Sequence, residues 1–245
     1  MPHVELAGQQ IFYFERGREG APLLFIHGAG GAHSNWLALI KQLQPRRCIP
    51  LDLPGHGLSS GDGCDTIEEY ASLAKDFVAA FLPDTKTIAV GHSMGGLVAT
   101  CFASQNPDSV AGLILISSSF SPPSPPPSNV PTKEEICRML YSGEELIQEC
   151  IEKRLFMLDR PEVLLKDLQA SARFDYTRYP VSKNIPAFVI TGEKDIRATL
   201  QSILIAADFL GAKLKIIPSC GHMPMIEKPG PTGEAIRQFL DQSRL

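Results

Sequence analysis

The chain has no surplus of positive charge: 23 lysines and arginines stand against 27 aspartates and glutamates, a formal net charge of −4. It therefore lacks the basic field that draws in nucleic acid, and no polyanionic partner is expected. It has no stretch approaching the roughly 18 uninterrupted apolar residues of a membrane-spanning helix. Its opening residues, MPHVELAGQQ, show no basic region leading into an apolar run. These absences predict a soluble, cytoplasmic protein with no membrane insertion. The six cysteines (Cys48, Cys64, Cys101, Cys137, Cys150, Cys220) have neither C-x-x-C nor paired spacing, so they read as reduced thiols, with no disulfide and no zinc site. No segment of about 20–50 residues recurs, which excludes a solenoid or a propeller.

What is present suffices for a substantial core. With 245 residues, 44% hydrophobic and 20% charged, the chain fits one domain carrying an insertion. The most informative stretch is residues 87–100, TIAVGHSMGGLVAT. An apolar strand runs into Gly91-His92-Ser93-Met94-Gly95 and leaves as an apolar helix, the context of a G-x-S-x-G turn that exposes a serine. Such a turn leaves no room for side chains two residues to either side of Ser93, so bulk at Gly91 or Gly95 should close it. The following helix points its positive end at the serine, and the Met94 amide is available to a developing anion. The plainer alternative is a glycine-rich turn whose serine only caps a helix.

Along the chain, residues 4–6 and 10–14 flank a turn and predict an antiparallel hairpin at one edge of a sheet. Leu23-Leu24-Phe25-Ile26 predicts a buried parallel strand ending in His27-Gly28-Ala29-Gly30-Gly31, a loop without the Walker lysine or the G-x-G-x-x-G spacing of nucleotide sites. A helix from Ser34 to Gln42 carries the single tryptophan, Trp36. The next strand ends in Asp52-Leu53-Pro54-Gly55-His56-Gly57, where Asp52 suits a carboxylate held by backbone amides. Thr66 and Glu69 form a capping-box pattern for a helix over 67–82. Another buried strand covers 113–116, and the strand–helix alternation predicts a parallel α/β sheet.

Residues 117–131, SSSFSPPSPPPSNVP, are too proline-rich for a helix or inner strand and predict a stiff extended connector. As an isolated tract it would suit a linker or a ligand for a proline-recognising module; here it reads as a hinge into a lid. Thr132 with Glu135, Ser142 with Glu145, and Pro161 predict three helix starts before about residue 173. Their apolar residues, among them Ile136, Met139, Leu140, Leu155, Phe156, Met157, Leu164 and Leu168, divide between packing and pocket lining. The chain then returns to strands at 187–190 and 213–217, with helices over 198–210 and 232–242.

Ser93, Asp195 and His222 fall at the carboxyl ends of predicted parallel strands, the ligand-binding edge of open α/β sheets. Their order is that of the Ser…Asp…His triad of α/β-hydrolases. Together with the loops 27–31, 52–57, 91–96 and 191–195 and with Gly221-His222 followed by Glu227-Lys228-Pro229, they make the chain resemble an α/β-hydrolase-fold enzyme of the small, single-cap kind. That resemblance implies a mostly parallel twisted sheet of about eight strands with helices on both faces. It implies a core of residues 1–120 and 185–245 and a helical cap of residues 121–184 inserted after the sixth strand. It further implies Ser93 as nucleophile, His222 as base, Asp195 as the acid that orients it, an oxyanion hole from the Ala29 and Met94 amides, and no metal or cofactor. Asp52 and Glu193 are competing acids, and the position after the strand preceding the lid reads Ser117-Ser118-Ser119, with no carboxylate.

The activity implied is a serine hydrolase, carboxylesterase-like, acting on a small-molecule acyl substrate: an ester, thioester or lactone. Carbon–carbon bond hydrolases of the same fold, perhydrolytic relatives and slow-turnover ligand-binding or receptor members are the alternatives. Arg197, just beyond Asp195, suits an acidic substrate group or, more plainly, a solvated surface.

Overall fold

The computed structural model describes residues 2–152 and 159–245. Six strands form one parallel sheet: β3 (Glu19–Ile26), β4 (Arg46–Leu51), β5 (Thr87–His92), β6 (Val110–Ile116), β7 (Ala187–Gly192) and β8 (Lys213–Ile217), in the order β4-β3-β5-β6-β7-β8. The amino-terminal hairpin, β1 (His3–Leu6) and β2 (Gln9–Phe12), forms a separate two-stranded sheet. This corrects the expected count of about eight strands in one sheet. After β2 the chain runs antiparallel along the edge of β4 but bridges it only at Tyr13–Leu51 and Arg16–Cys48. The cause is Pro50: it accepts from the Phe14 amide at 3.3 Å but has no N–H to return, so no continuous ladder forms.

Strand periodicity divides the core between the two faces of the sheet. Leu24, Ile26, Ala89, Leu113, Leu115 and Val189 point to the face covered by α2 (Ile67–Phe81) and α3 (Met94–Gln105). Their neighbours Leu23, Phe25, Ile88, Val90, Ile114, Ile116 and Ile190 point to the other face, packed with Trp36 and with α1 (Leu37–Leu43). Burial on both faces explains why these strands read as continuous apolar runs. The Thr66–Glu69 capping box forms as expected and starts α2.

Between β6 and β7 lie α4 (Lys133–Leu140), α5 (Glu144–Glu152) and α6 (Pro161–Arg173). Thr132 and Glu135 cap α4 reciprocally, whereas Ser142 does not cap α5: its hydroxyl donates to Glu227 at 2.8 Å. Leu155, Phe156 and Met157 lie outside the described residues. The reading of all six cysteines as free is overturned here, because Cys137 and Cys150 form a disulfide. A 13-residue separation resembles no sequence motif, but helices joined by the short connection at 141–143 bring the two sulfurs together beside Ile147. Cys48, Cys64, Cys101 and Cys220 are free.

The fold closes with α7 (Leu200–Leu210), stopped by Gly211 in the left-handed conformation. After β8 come α8 (Pro224–Glu227) and α9 (Pro229–Ser243). Among the described residues no helix is long and apolar enough to cross a membrane.

Candidate active site

Ser93 stands between the end of β5 and the first residue of α3 with φ 51° and ψ −120°. A non-glycine residue there stores on the order of 1–3 kcal/mol of strain and persists only if its surroundings hold it. They do so by hydrogen bonds: the Ser93 amide donates to Ile116 O at 3.0 Å, and its carbonyl accepts from Ser118 Oγ at 2.7 Å and from the Gly96 amide at 2.9 Å. The glycines are required by contact. A Cβ on Gly91 would lie 2.2 Å from Gly95 O, and one on Gly95 would lie 2.1 Å from Ile26 O. The crowding expected from the motif is therefore real, and it is set by backbone atoms that cannot turn aside.

His222 follows β8 on a loop and reaches Ser93, its Nε2 lying 3.0 Å from Ser93 Oγ. On the far side of the ring, Nδ1 lies 2.9 and 3.0 Å from the two oxygens of Asp195. Asp195, on the loop after β7, also accepts from the Arg197 and Ala198 amides, each at 2.9 Å. Burial alone would raise its pKa, but the His222 hydrogen bond and charge, with the Ala198 amide, outweigh it and hold the carboxyl below its ordinary 3.8. Ser117, fully enclosed at the end of β6, has no hydrogen-bond partner of good geometry for its hydroxyl, although it lies near enough to Asp195 to favour the ionised form. Thus three residues scattered over the sequence form one chain of hydrogen bonds, with a carboxylate at the buried end and a hydroxyl at the open end.

The competing acids are occupied elsewhere. Asp52 is enclosed by the His33 amide at 2.6 Å, the Leu58 amide at 2.9 Å and the His33 ring at 2.8 Å, the amide-held role expected for it. Glu193 accepts from the Ser219 amide at 2.9 Å. His92 turns away from Ser93 and donates through Nε2 to the carbonyl of His222 at 2.9 Å. Burial, reinforced by the neighbouring His222, pushes its pKa down to about 3, so it serves as a neutral prop beneath the His222 loop. His27 likewise stays neutral, lowered to about 4 by burial and by His56; its Nε2 accepts from the Leu53 amide at 3.0 Å.

Two cavities meet at Ser93, Ala29, Arg197 and His222. The first, of about 130 Å³, is walled by Ile136, Met139, Leu140, Leu164 and Leu168 from the segment between β6 and β7. The second, of about 330 Å³, is lined by Ser117, Ser119, Ser121, Asn129 and Ser171, with Met94 at its base. Arg197 is exposed at their junction, and its guanidinium lies 3.7 Å from Met139 Sδ.

The sequence profile of the alpha/beta hydrolase family matches residues 23–235. The chain belongs to the alpha/beta hydrolase family. It is 29% identical to the dihydrolipoyllysine-residue acetyltransferase component of an acetoin cleaving system from Pseudomonas putida, covering 96% of this chain and 68% of that one. It is 26% identical to lipase 1 of Psychrobacter immobilis, over 97% of this chain and 84% of the other. A thermophilic esterase from Thermogutta terrifontis superposes with a TM-score of 0.85 at 26% identity, covering 100% of both chains.

Several residues of this hydrolase's site escape sequence reasoning. Besides Ser118, they include the supports supplied from between β6 and β7. The His222 amide donates to Leu140 O at 3.0 Å. The Ser142 amide donates at 3.1 Å to Glu227 of α8, a residue of the Glu227-Lys228-Pro229 motif, which also accepts from the Gly221 amide at 2.9 Å. Asp167 of α6 is wholly buried and reaches the Gly30 amide at 2.9 Å. One signal for Asp167 was legible: it sits on the stripe of Val163, Leu164 and Ala170, the buried face of α6, where a carboxylate needs partners.

Proposed function

We propose that the protein is a serine hydrolase that cleaves a small carboxylic ester, or a thioester or lactone of similar size, through an acyl-enzyme. The observation that carries this reading is the chain Asp195–His222–Ser93 ending at the floor of both cavities. With Nδ1–H donating to Asp195, the neutral imidazole keeps its Nε2 lone pair for the Ser93 hydroxyl, whose proton it takes as Oγ attacks the acyl carbon. Asp195 then stabilises the imidazolium. The oxyanion of the tetrahedral intermediate is received by the amides of Met94, at the positive end of α3, and Ala29. Losing one such donor typically lowers turnover by about 10²–10³. The imidazolium returns the proton to the leaving alcohol, and a water activated by the same base releases the acid.

Residues 121–184 act in this reading as a cap whose apolar side chains wall the smaller cavity. The two chambers favour an ester with one short apolar side and one oxygen-rich side, and Arg197 at their junction suits a carboxylate on the substrate. Labelling with a fluorophosphonate tests the nucleophile, comparing the intact protein with Ser93→Ala, followed by p-nitrophenyl esters of increasing acyl length. Rapid labelling abolished by Ser93→Ala, with turnover falling beyond a short acyl chain, is the expected result. A folded protein that does not label refutes the assignment of Ser93.

A further inference from the structure

The cap does more than wall a cavity. Asp167, on α6, lies 137 residues from Gly30 in sequence and receives its amide at 2.9 Å through Oδ2. The same oxygen accepts from His56 Nε2 at 2.8 Å, while Oδ1 accepts from the Tyr70 hydroxyl at 2.6 Å. Asp167 and Tyr70 are fully buried, and His56 is nearly so. His56 Nδ1 faces the carbonyl of Pro54 at 2.9 Å. Both ring nitrogens thus face oxygens, an arrangement suited to a doubly protonated imidazolium beside the Asp167 carboxylate.

Such a group is expensive to bury, and hydrogen bonds to its lone pairs offset part of that cost. Here three donors from three separate elements converge on one cap carboxylate. One of them is the amide of Gly30, a glycine at φ 63° directly after Ala29, whose own amide is proposed to receive the oxyanion. The 27–31 loop closes its own turn, the Gly31 amide and His27 Nδ1 donating to Gly28 O at 2.9 and 2.8 Å, but four of its five residues are glycine or alanine, and the acceptor for the Gly30 amide comes from the cap.

We propose that Asp167 is a positioning residue: by binding the Gly30 amide from the cap, it fixes the Ala29 amide at the oxyanion site, so that a seated cap and a formed oxyanion hole are one event. This rests on the esterase reading above. A misplaced donor loses most of its effect, because the hole acts through preorganised geometry.

The test compares wild type with Asp167→Ala, Asp167→Asn and Tyr70→Phe, using p-nitrophenyl butyrate turnover and the rate of fluorophosphonate labelling. Asp167→Ala removes the acceptor from Gly30 and is expected to lower kcat about 10²-fold with KM changed less than about threefold. Asp167→Asn keeps a carbonyl oxygen that can face Gly30 and His56, so it recovers most of that loss. Tyr70→Phe cuts the network at the other oxygen and keeps kcat within about threefold. Folded Asp167→Ala with kcat near wild type, or equal losses in Asp167→Ala and Tyr70→Phe, overturns the proposal.

Hydrogen exchange of the wild type makes the test independent of whether Asp167→Ala folds. Protection of the Gly30 amide comparable to the α6 amides supports the clamp, and exchange at the rate of an open loop amide refutes it. Wild type that neither labels nor turns over would count against the esterase reading instead, while the exchange result would still judge the clamp.

Discussion

Gly95→Ala should cripple the site without touching any reacting atom. The added Cβ would stand 2.1 Å from Ile26 O and 2.5 Å from His27 O, about 1 Å short of any tolerable contact, and both obstacles are backbone of β3 and the loop that follows it. The start of α3 must therefore back away from β3 by about that much, carrying Ser93 with it. Overpacking of this kind costs roughly 1–3 kcal/mol of stability, and a displacement near 1 Å lowers turnover about 10²-fold. Gly96→Ala provides the contrast, because its Cβ would meet Ser118 Oγ at 2.2 Å and Ser118 Cβ at 2.4 Å, a side chain that can be removed. Gly96→Ala with Ser118→Gly is expected to regain at least about 1 kcal/mol over Gly96→Ala alone, a coupling measurable by urea unfolding in a double-mutant cycle. If Gly95→Ala labels with fluorophosphonate at the wild-type rate and keeps its unfolding midpoint, the steric account of the turn is wrong.

Acidification should weaken the fold well before the carboxylates titrate. His27 has a pKa of about 4 in the fold against an ordinary 6.5, so the unfolded chain takes up the proton first; its contribution is complete above about pH 6.5 and declines by roughly 3 kcal/mol toward pH 4. Protonated His56 works in the opposite sense, so the measurement is the difference between wild type and His27→Gln in urea midpoints at pH 7 and 4.5, and parallel shifts would refute it. Arg197→Gln is expected to lower kcat/KM for a mono-p-nitrophenyl glutarate by about tenfold and leave p-nitrophenyl butyrate unchanged; equal effects on both esters would remove the carboxylate from the substrate reading. Closing a loop with a separation of 13 residues contributes on the order of 3 kcal/mol by chain entropy, so Cys137→Ser should speed proteolysis within 133–152. Non-reducing peptide mapping that finds both thiols free would dispose of the bridge.

The parallel core was legible because burial on both faces leaves runs such as Leu23-Leu24-Phe25-Ile26, closed by His27-Gly28, and Leu113-Ile114-Leu115-Ile116, closed by Ser117. Thr66 and Glu69 announced α2, and Gly211 announced the end of α7, because those signals act within one turn of chain. The hairpin's isolation was not legible: it depends on the prolyl nitrogen of Pro50 meeting a strand more than 30 residues away in sequence. Ser142 and Glu145 satisfied a local capping pattern, but Ser142 is claimed by Glu227, 85 residues later. The Cys137–Cys150 bridge likewise follows from how two helices meet. Within the site, residues on the G-x-S-x-G turn and at strand ends could be named, whereas their supports, Ser118, Leu140 O and Asp167, act through tertiary contacts with no fixed spacing.

That division has a mechanical reason. Ser93, Asp195 and His222 leave the ends of β5, β7 and β8, and the registers Gly91↔Leu115, Ile116↔Ile190 and Gly192↔Ile217 tie those ends to a common edge. The sheet thereby fixes three loop origins to within the stiffness of its ladder, which is what a 3.0 Å contact between Ser93 and His222 requires. It does not fix the loops themselves. The 27–31 loop and the His222 loop each take part of their restraint from the segment between β6 and β7, through Asp167 to Gly30 and through Leu140 O to the His222 amide. A change in how that segment is seated must therefore move a proposed oxyanion donor and the proposed base together, so substitutions loosening α4 or α6 should appear first as lost turnover and only later as lost stability.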